Sequence, residues 1–143
     1  MSQQKLHLDI PPDLRPRQRE ELADLVIEHI VERTQSGKDK DGKQFKGYSK
    51  AYMKSLDFRN AGKSKKVDLQ LSGDMLAAIE LLREKNGSLT IGFQKGSEEN
   101  ERAEGNITGS YGREANSSKA RDFLGIKSAK LRELIEFVRS RDG

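Results

Sequence analysis

The sequence predicts an α+β fold over residues 1–143, with a small, mainly antiparallel sheet packed by two long amphipathic helices and one short helix, and two long loops. Three observations predict this class. Apolar residues alternate with polar residues in three short stretches, which is typical of half-buried strands. Apolar residues also recur at spacings of three and four, which is typical of amphipathic helices. Finally, a length of 143 residues with no internal repeat suits a single domain.

The chain begins with a predicted strand and a long predicted helix. Pro11-Pro12 ends the strand, because proline donates no backbone hydrogen bond. The helix spans residues 14–35, with Pro16 in its first turn and Gly37 at its end. The alternating apolar residues of the strand are Leu6, Leu8 and Ile10. The apolar stripe of the helix consists of Leu22, Leu25, Val26, Ile27, Ile30 and Val31.

The second half of the chain contains the other regular elements. A second strand is predicted at residues 67–71, and a helix at Gly73–Leu82. Asn86-Gly87 is a strong turn signal before a third strand, and a last helix begins at Ser128. The apolar residues of the two strands are Val67, Leu69 and Leu71, and Leu89, Ile91 and Phe93. Those of the last helix are Leu131, Leu134, Ile135 and Val138.

Two long stretches, 37–66 and 96–120, are rich in turn residues and are expected to be extended loops or arms. The first has room for a short helix at residues 49–56. The second opens with an acidic cluster, which we expect to be solvated: Glu98, Glu99, Glu101 and Glu104. Hydrophobic residues are 33% of the chain and charged residues 35%, a polar balance that favours a modest core supplemented by contacts with other subunits.

The charge distribution is uneven, although the net charge is only +4. Ten lysines and arginines lie between Lys38 and Lys66, against three aspartates. Such a stretch is able to attract nucleic acid or an acidic protein surface, and a simple solvated loop is the alternative.

No pattern in the sequence predicts an enzyme. Asp39 and Asp41 begin like a calcium loop, but Lys50 stands where that loop needs a bidentate glutamate, so the segment is expected to be a turn. His7 and His29 lie in separate elements without companion ligands, and nucleotide-binding and hydrolase motifs are missing. We therefore expect no catalytic residues, no metal, no cofactor and no small-molecule substrate.

Compartment signals are equally sparse. The chain has no cysteine, no apolar run long enough to cross a membrane and no apolar signal segment at its start. We expect a protein that stays in the cytosol where it is made, or in a particle assembled there, without a membrane partner.

An ordered set of short segments resembles a known family. These segments are Arg33-Thr34-Gln35-Ser36-Gly37, Asp39-Lys40-Asp41-Gly42-Lys43-Gln44-Phe45, Tyr48-Ser49-Lys50, Leu69-Gln70-Leu71-Ser72-Gly73-Asp74-Met75, Leu89-Thr90-Ile91-Gly92-Phe93 and Lys119-Ala120-Arg121-Asp122-Phe123-Leu124-Gly125-Ile126. In this order, over roughly residues 6 to 138, they resemble the tail-completion or virion-morphogenesis proteins of tailed bacteriophages, found at the neck or head–tail junction. One departure is Asn106-Ile107-Thr108-Gly109, where many members carry His-Gln-x-Gly.

The resemblance implies a structural virion protein, made in the host cytoplasm. Its subunits would assemble as a homo-oligomeric ring, of six or twelve copies for example, beside other neck or tail proteins and close to the DNA channel. Interface candidates are the aromatic residues Phe45, Tyr48, Tyr52, Phe58 and Tyr111 in the two arms, together with Arg121 just after the second arm. The alternative for the aromatic residues is that they cover the edge of the core. Phe123 and Leu124 are expected to dock into the core, with Gly125 allowing the turn into the last helix. The alternative function is a phage nucleic-acid-binding protein acting through the Lys38–Lys66 segment.

Overall fold

The computed structural model describes residues 3–43, 73–108 and 122–141. In chain order these residues form β1 (Lys5–Asp9), α1 (Pro16–Gln35), α2 (Gly73–Ala77), β2 (Glu80–Lys85), β3 (Ser88–Gly92), α3 (Glu98–Thr108) and α4 (Ser128–Arg141). The strands form one sheet in the order β1-β3-β2, and both pairings are antiparallel. A three-stranded antiparallel sheet combined with helices confirms the predicted α+β class.

The predicted first strand and first helix are both confirmed. The backbone N–H of Arg15 donates to Oε1 of Gln18 at 2.8 Å, which satisfies one free donor at the start of α1. At the other end Gly37 adopts a φ of 87°, a conformation that favours glycine. Lys38 N–H donates to the carbonyl of Arg33 at 3.1 Å and Gly37 N–H to that of Thr34 at 2.9 Å. This pair of bonds is a Schellman motif, so Gly37 ends α1 as predicted.

The β2–β3 hairpin corrects one prediction. The helix predicted at Gly73–Leu82 ends at Ala77, and Glu80–Lys85 is a strand instead. The spacing of the apolar residues suggested a helix, but the Asn86-Gly87 turn, with Gly87 at a φ of 87°, folds this stretch back onto β3. Cross-strand pairing therefore overrides the local helical pattern.

Helix α3 corrects a second prediction, since Glu98–Thr108 was expected to belong to a solvated loop. Ser97 caps this helix, because its Oγ accepts the backbone N–H of Asn100 at 3.1 Å. The glutamates of the first turn complement the positive end of the helix dipole, and Arg102 pairs with Glu98 at 2.7 Å. The acidic cluster therefore belongs to a helix start.

The core lies where α1 crosses the inner face of the sheet. Its apolar residues from β1, β3 and the helices include Leu8, Leu22, Val26, Ile30, Met75, Leu89, Ile91 and Val138. Helix α4 contacts α1, and Ile135 and Val138 are buried as its stripe predicted. Phe123 and Leu124 are also buried, as predicted, and the Phe123 ring meets Phe93 edge-on with centroids 6.3 Å apart.

One ion pair joins α1 to the sheet beneath it. The Arg19 guanidinium contacts Glu84 of β2 and also donates to the Leu14 carbonyl at 2.5 Å. The Arg19 side chain is only 11% exposed and that of Glu84 25%. Each charge has therefore lost most of its contacts with water, and the attraction of its partner compensates for that loss.

Candidate functional site

The six interface candidates named from the sequence all lie outside the described residues. Phe45, Tyr48, Tyr52 and Phe58 belong to residues 44–72, and Tyr111 and Arg121 belong to residues 109–121. The short helix predicted at 49–56 and the strand predicted at 67–71 fall in the same ranges. The structure does describe the four chain ends that flank these two ranges, and these ends lie at two positions in the fold.

Arg33, in the last turn of α1, organises the first of these positions. Its guanidinium donates to the carbonyl of Gly125 at 2.6 Å and to the carbonyl of Phe123. Its Nε–H reaches the carbonyl of Lys38 at 3.4 Å. One side chain therefore holds the end of α1, the turn after it and the segment that leads into α4.

The turn after α1 closes on itself through Asp39. Its Oδ1 accepts the backbone N–H groups of Asp41 at 2.9 Å and Lys43 at 3.0 Å, and its own N–H donates to the Lys43 carbonyl at 2.8 Å. Gly42 has a φ of 82°. The predicted turn is thus confirmed, and it uses an oxygen of Asp39 that a calcium loop would turn toward the ion.

Lys40 joins this turn to the segment before α4. Its N–H donates to the Asp122 carbonyl at 3.0 Å, and its ammonium pairs with the Asp122 carboxylate at 3.0 Å. Gly125 is buried, and a Cβ there would lie 2.8 Å from both Cβ and Cδ of Lys40. Close approach of the Lys40 side chain therefore accounts for glycine at this position. We call Arg33, residues 38–43 and residues 122–125 the Arg33 junction.

The electrostatics of the Arg33 junction follow from its burial and its carboxylates. Burial lowers the pKa of the Arg33 guanidinium, while Asp39, Asp122 and Asp41 act to raise it. Arginine keeps its charge at any physiological pH, so the three carboxylates stabilise a permanent cation here. The hydrogen bond from Lys40 to Asp122, more than any other contact, raises the pKa of the Lys40 ammonium.

Helices α2 and α3 meet at the second position. Nδ2 of the buried Asn106 donates to the Met75 sulfur at 3.7 Å and to the Arg102 carbonyl at 3.0 Å. Near the start of α3, Oδ1 of Asn100 accepts the N–H of Gln4 at 2.7 Å, just before β1. Polar side chains therefore fix α3 against α2 at one end and beside the sheet at the other.

These contacts show that both undescribed ranges connect the same two places. Residues 44–72 leave from the Arg33 junction after Lys43 and return at α2. Residues 109–121 leave from the end of α3, beside α2, and return to the Arg33 junction at Asp122. The body thus holds the ends of both ranges at shared positions.

The junction also brings together segments that carry the family resemblance. Arg33 and the Asp39 turn belong to the first two of them, while Phe123 and Gly125 belong to the last. The third strand segment joins them through the Phe93–Phe123 ring contact. These residues are distant in the sequence and are brought into contact by the fold.

The net charge of the described residues differs in sign from that of the two undescribed ranges. Residues 44–72 and 109–121 contain ten lysines and arginines against three acids, a net charge of +7. The described residues contain seventeen lysines and arginines against nineteen acids, a net charge of −2. The positive net charge of the protein therefore comes from residues outside the described ranges.

Helix α1 also displays a row of exposed acidic side chains on one side. The acidic face of α1 consists of Glu20, Asp24, Glu28 and Glu32, all exposed and spaced four residues apart. Like charges at this spacing destabilise a helix by about 0.2–0.5 kcal/mol per pair. The regular spacing was the signal in the sequence, since acids every four residues share one side of a helix.

No group of three or more His, Asp and Glu side chains in the described part of the chain is arranged to hold a metal ion. A groove of about 330 Å³ between α1 and α4 is lined by Arg17, Gln18, Glu21 and Arg141, and Arg141 pairs with Glu21 at 2.6 Å across it. No described helix has both the length and the apolar character needed to cross a membrane.

Comparison of the chain with protein-family models, with curated proteins and with solved structures finds no match.

Proposed function

We propose that this chain is a structural subunit of a tailed-phage particle, of the tail-completion type, that forms a ring at the neck or tail junction. The observation that carries the proposal is the Arg33 junction, where Arg33, the Asp39 turn and the Phe123–Gly125 segment meet. The described parts of four of the six segments on which the resemblance rests thus contact one another, which supports the proposal.

The organisation of the body supports the same proposal. A ring subunit needs a rigid core and segments that reach its neighbours, and cyclic contacts are heterologous. Here an α+β body fixes the ends of residues 44–72 and 109–121 at two shared positions. The aromatic interface candidates lie in these ranges, and aromatic side chains often anchor contacts between proteins.

A second candidate is nucleic-acid binding through Lys38–Lys66, which the net charge of +7 outside the body favours. In that case the isolated protein binds double-stranded DNA with an affinity that falls steeply with salt, because each phosphate contact releases counterions. A neck subunit that lines a DNA passage would show weaker binding of this kind, without sequence preference.

Deletion of the gene from its source phage tests the proposal. The structural role predicts separate heads and tails, or unstable particles, and loss of infectivity that the gene restores in trans. It also predicts that mass spectrometry detects the chain in gradient-purified wild-type particles. Infectious particles of normal morphology without the gene would contradict the proposal.

A further inference from the structure

Strand β1 bonds to β3 along one edge, and its other edge lies at the border of the described sheet. The backbone N–H of Ile10 donates to the Gly87 carbonyl at 3.0 Å, and the N–H of Phe93 donates to the Gln4 carbonyl at 3.1 Å. Because backbone groups alternate in direction along a strand, the even-numbered residues of β1 bond to β3 and the odd-numbered residues point away from it. No described residue bonds to the outward backbone groups. The outward residues of β1 are Lys5, His7 and Asp9.

This outer edge of β1 is regular and accessible. The pairing of β1 with β3 runs over all five residues without a bulge. The His7 side chain is 58% exposed and that of Asp9 96%, and Lys5 is exposed as well. By contrast, the other edge strand, β2, has a register shift between Leu81 and Arg83, and such irregularities hinder the pairing of an edge with another strand. Of the two described edges, β1 is therefore the one suited to accept a further strand.

The side chains of β1 are complementary to themselves when two copies run antiparallel. A two-fold axis at His7 places Lys5 of each copy opposite Asp9 of the other. The same register places Leu6 opposite Leu8 of the second copy, both on the face that packs against the core. A shift of two residues in either direction, or a parallel pairing in register, removes both Lys5–Asp9 contacts. Charge complementarity therefore selects one register.

We propose that β1 pairs with β1 of a second copy of this chain and joins the two sheets into one continuous antiparallel sheet. The outward residues of the two copies then exchange about six main-chain hydrogen bonds. The contact is isologous, so it joins two copies without closing a ring, and the inference goes beyond the proposed virion role. A contact of five residues from each strand is small beside the roughly 20–30 residues a side of a standard interface, so the dimer is weak.

Sedimentation velocity of the full-length protein tests the contact, at concentrations from about 10 μM to about 1 mM, where weak dimers form. The wild type is expected to dimerise within this range. His7→Pro is expected to lower the association constant roughly tenfold or more, because it removes the outward N–H at the two-fold axis from both copies. The bonds from β1 to β3 use the even-numbered residues, so they stay in place. His7→Ala keeps the N–H and is the matched control, and circular dichroism unfolding verifies that each variant folds.

A charge swap tests the register. Asp9→Lys and Lys5→Asp, each alone, are expected to lower the association constant roughly tenfold, because two cross-strand pairs change from attraction to repulsion. An equimolar mixture of these two variants is expected to dimerise to within a few-fold of wild type, since every pair then joins opposite charges. Asp24→Lys, on the exposed side of α1, makes the same change in net charge as Asp9→Lys and is expected to leave dimerisation unchanged.

Hydrogen exchange shows whether the edge is open before two copies meet. The backbone amides of Lys5, His7 and Asp9 are expected to exchange rapidly in dilute protein and more slowly at high concentration. Slow exchange in the dilute monomer would mean that the edge is covered within the chain and would overturn the inference. A wild type that stays monomeric throughout, a His7→Pro variant that dimerises like His7→Ala, or a charge-swap mixture that does not recover would overturn it as well. Any of these results leaves the proposed virion role intact, and a dispensable gene leaves the β1 contact intact.

Discussion

Replacing Arg33 with alanine removes the side chain that joins the end of α1 to the segment before α4. The carbonyls of Phe123 and Gly125 each lose a charged donor, and that of Lys38 loses a longer contact. Hydrogen bonds to charged groups contribute about 1.5–3 kcal/mol each, and partial exposure to water reduces that figure. We therefore expect the free energy of unfolding to fall by about 2–4 kcal/mol, out of a typical total of about 5–15 kcal/mol.

Urea unfolding followed by circular dichroism measures this loss, and thermal unfolding is expected to show a decrease in Tm of roughly 6–12 °C. Arg132, an exposed arginine of α4, provides the control, and its change to alanine is expected to cost less than about 0.5 kcal/mol. Arg33→Lys is expected to recover only part of the loss, because one ammonium does not reproduce the forked geometry. Hydrogen exchange should rise in residues 122–126 of Arg33→Ala. A loss within about 0.5 kcal/mol of the control would refute the central role of Arg33 in the junction.

Three further changes test other parts of the structure. Gly125→Ala is expected to cost about 1–3 kcal/mol of unfolding free energy, because its Cβ displaces Lys40 from beside it, and an effect below about 0.5 kcal/mol in urea unfolding would contradict this. Glu84→Gln leaves the mostly buried Arg19 charge without its partner and is expected to cost about 1–3 kcal/mol by the same measurement, so a neutral effect would argue against the pair. Burial, followed by the charges of Arg33 and Lys130, lowers the pKa of His29, while Glu32 and Glu133 oppose them. Below pH about 6.5 the unfolded chain thus binds a proton at this histidine more readily than the folded chain, so the free energy of unfolding decreases as the pH is lowered. We expect His29→Gln to lose less unfolding free energy than wild type when the pH is lowered from about 7.5 to about 5.5, and equal losses would contradict the pKa shift.

The sequence predicts an element well where local pattern and tertiary contacts agree. For α1 the apolar stripe, Pro16 and Gly37 all indicate the same helix, and the structure confirms it. Strand β3 is similar, because its alternating apolar residues Leu89 and Ile91 are buried in the core. In both cases the side chains that set the local conformation also fill the core.

Prediction fails where a neighbour decides the conformation. Residues 80–85 carry apolar spacing compatible with a helix, yet pairing with β3 through the Asn86-Gly87 turn makes them a strand. Helix α3 was missed because its glutamates looked like a solvated cluster, although Ser97 and acids at a helix start are a recognisable signal.

The Arg33 junction was predictable only in part. The turn at Asp39 follows from short-range chemistry, since its carboxylate accepts N–H groups from residues two and four positions later. The bonds from Arg33 to the Phe123 and Gly125 carbonyls span about ninety residues, and no local pattern specifies such a contact.

Cryo-electron microscopy of intact particles of the kind to which we assign this chain tests the proposed virion role most directly. The account predicts a ring of copies at the junction of head and tail, with density that fits the described α+β body. Particles whose head–tail junction is fully accounted for by other chains, with no density for this fold, would contradict the account.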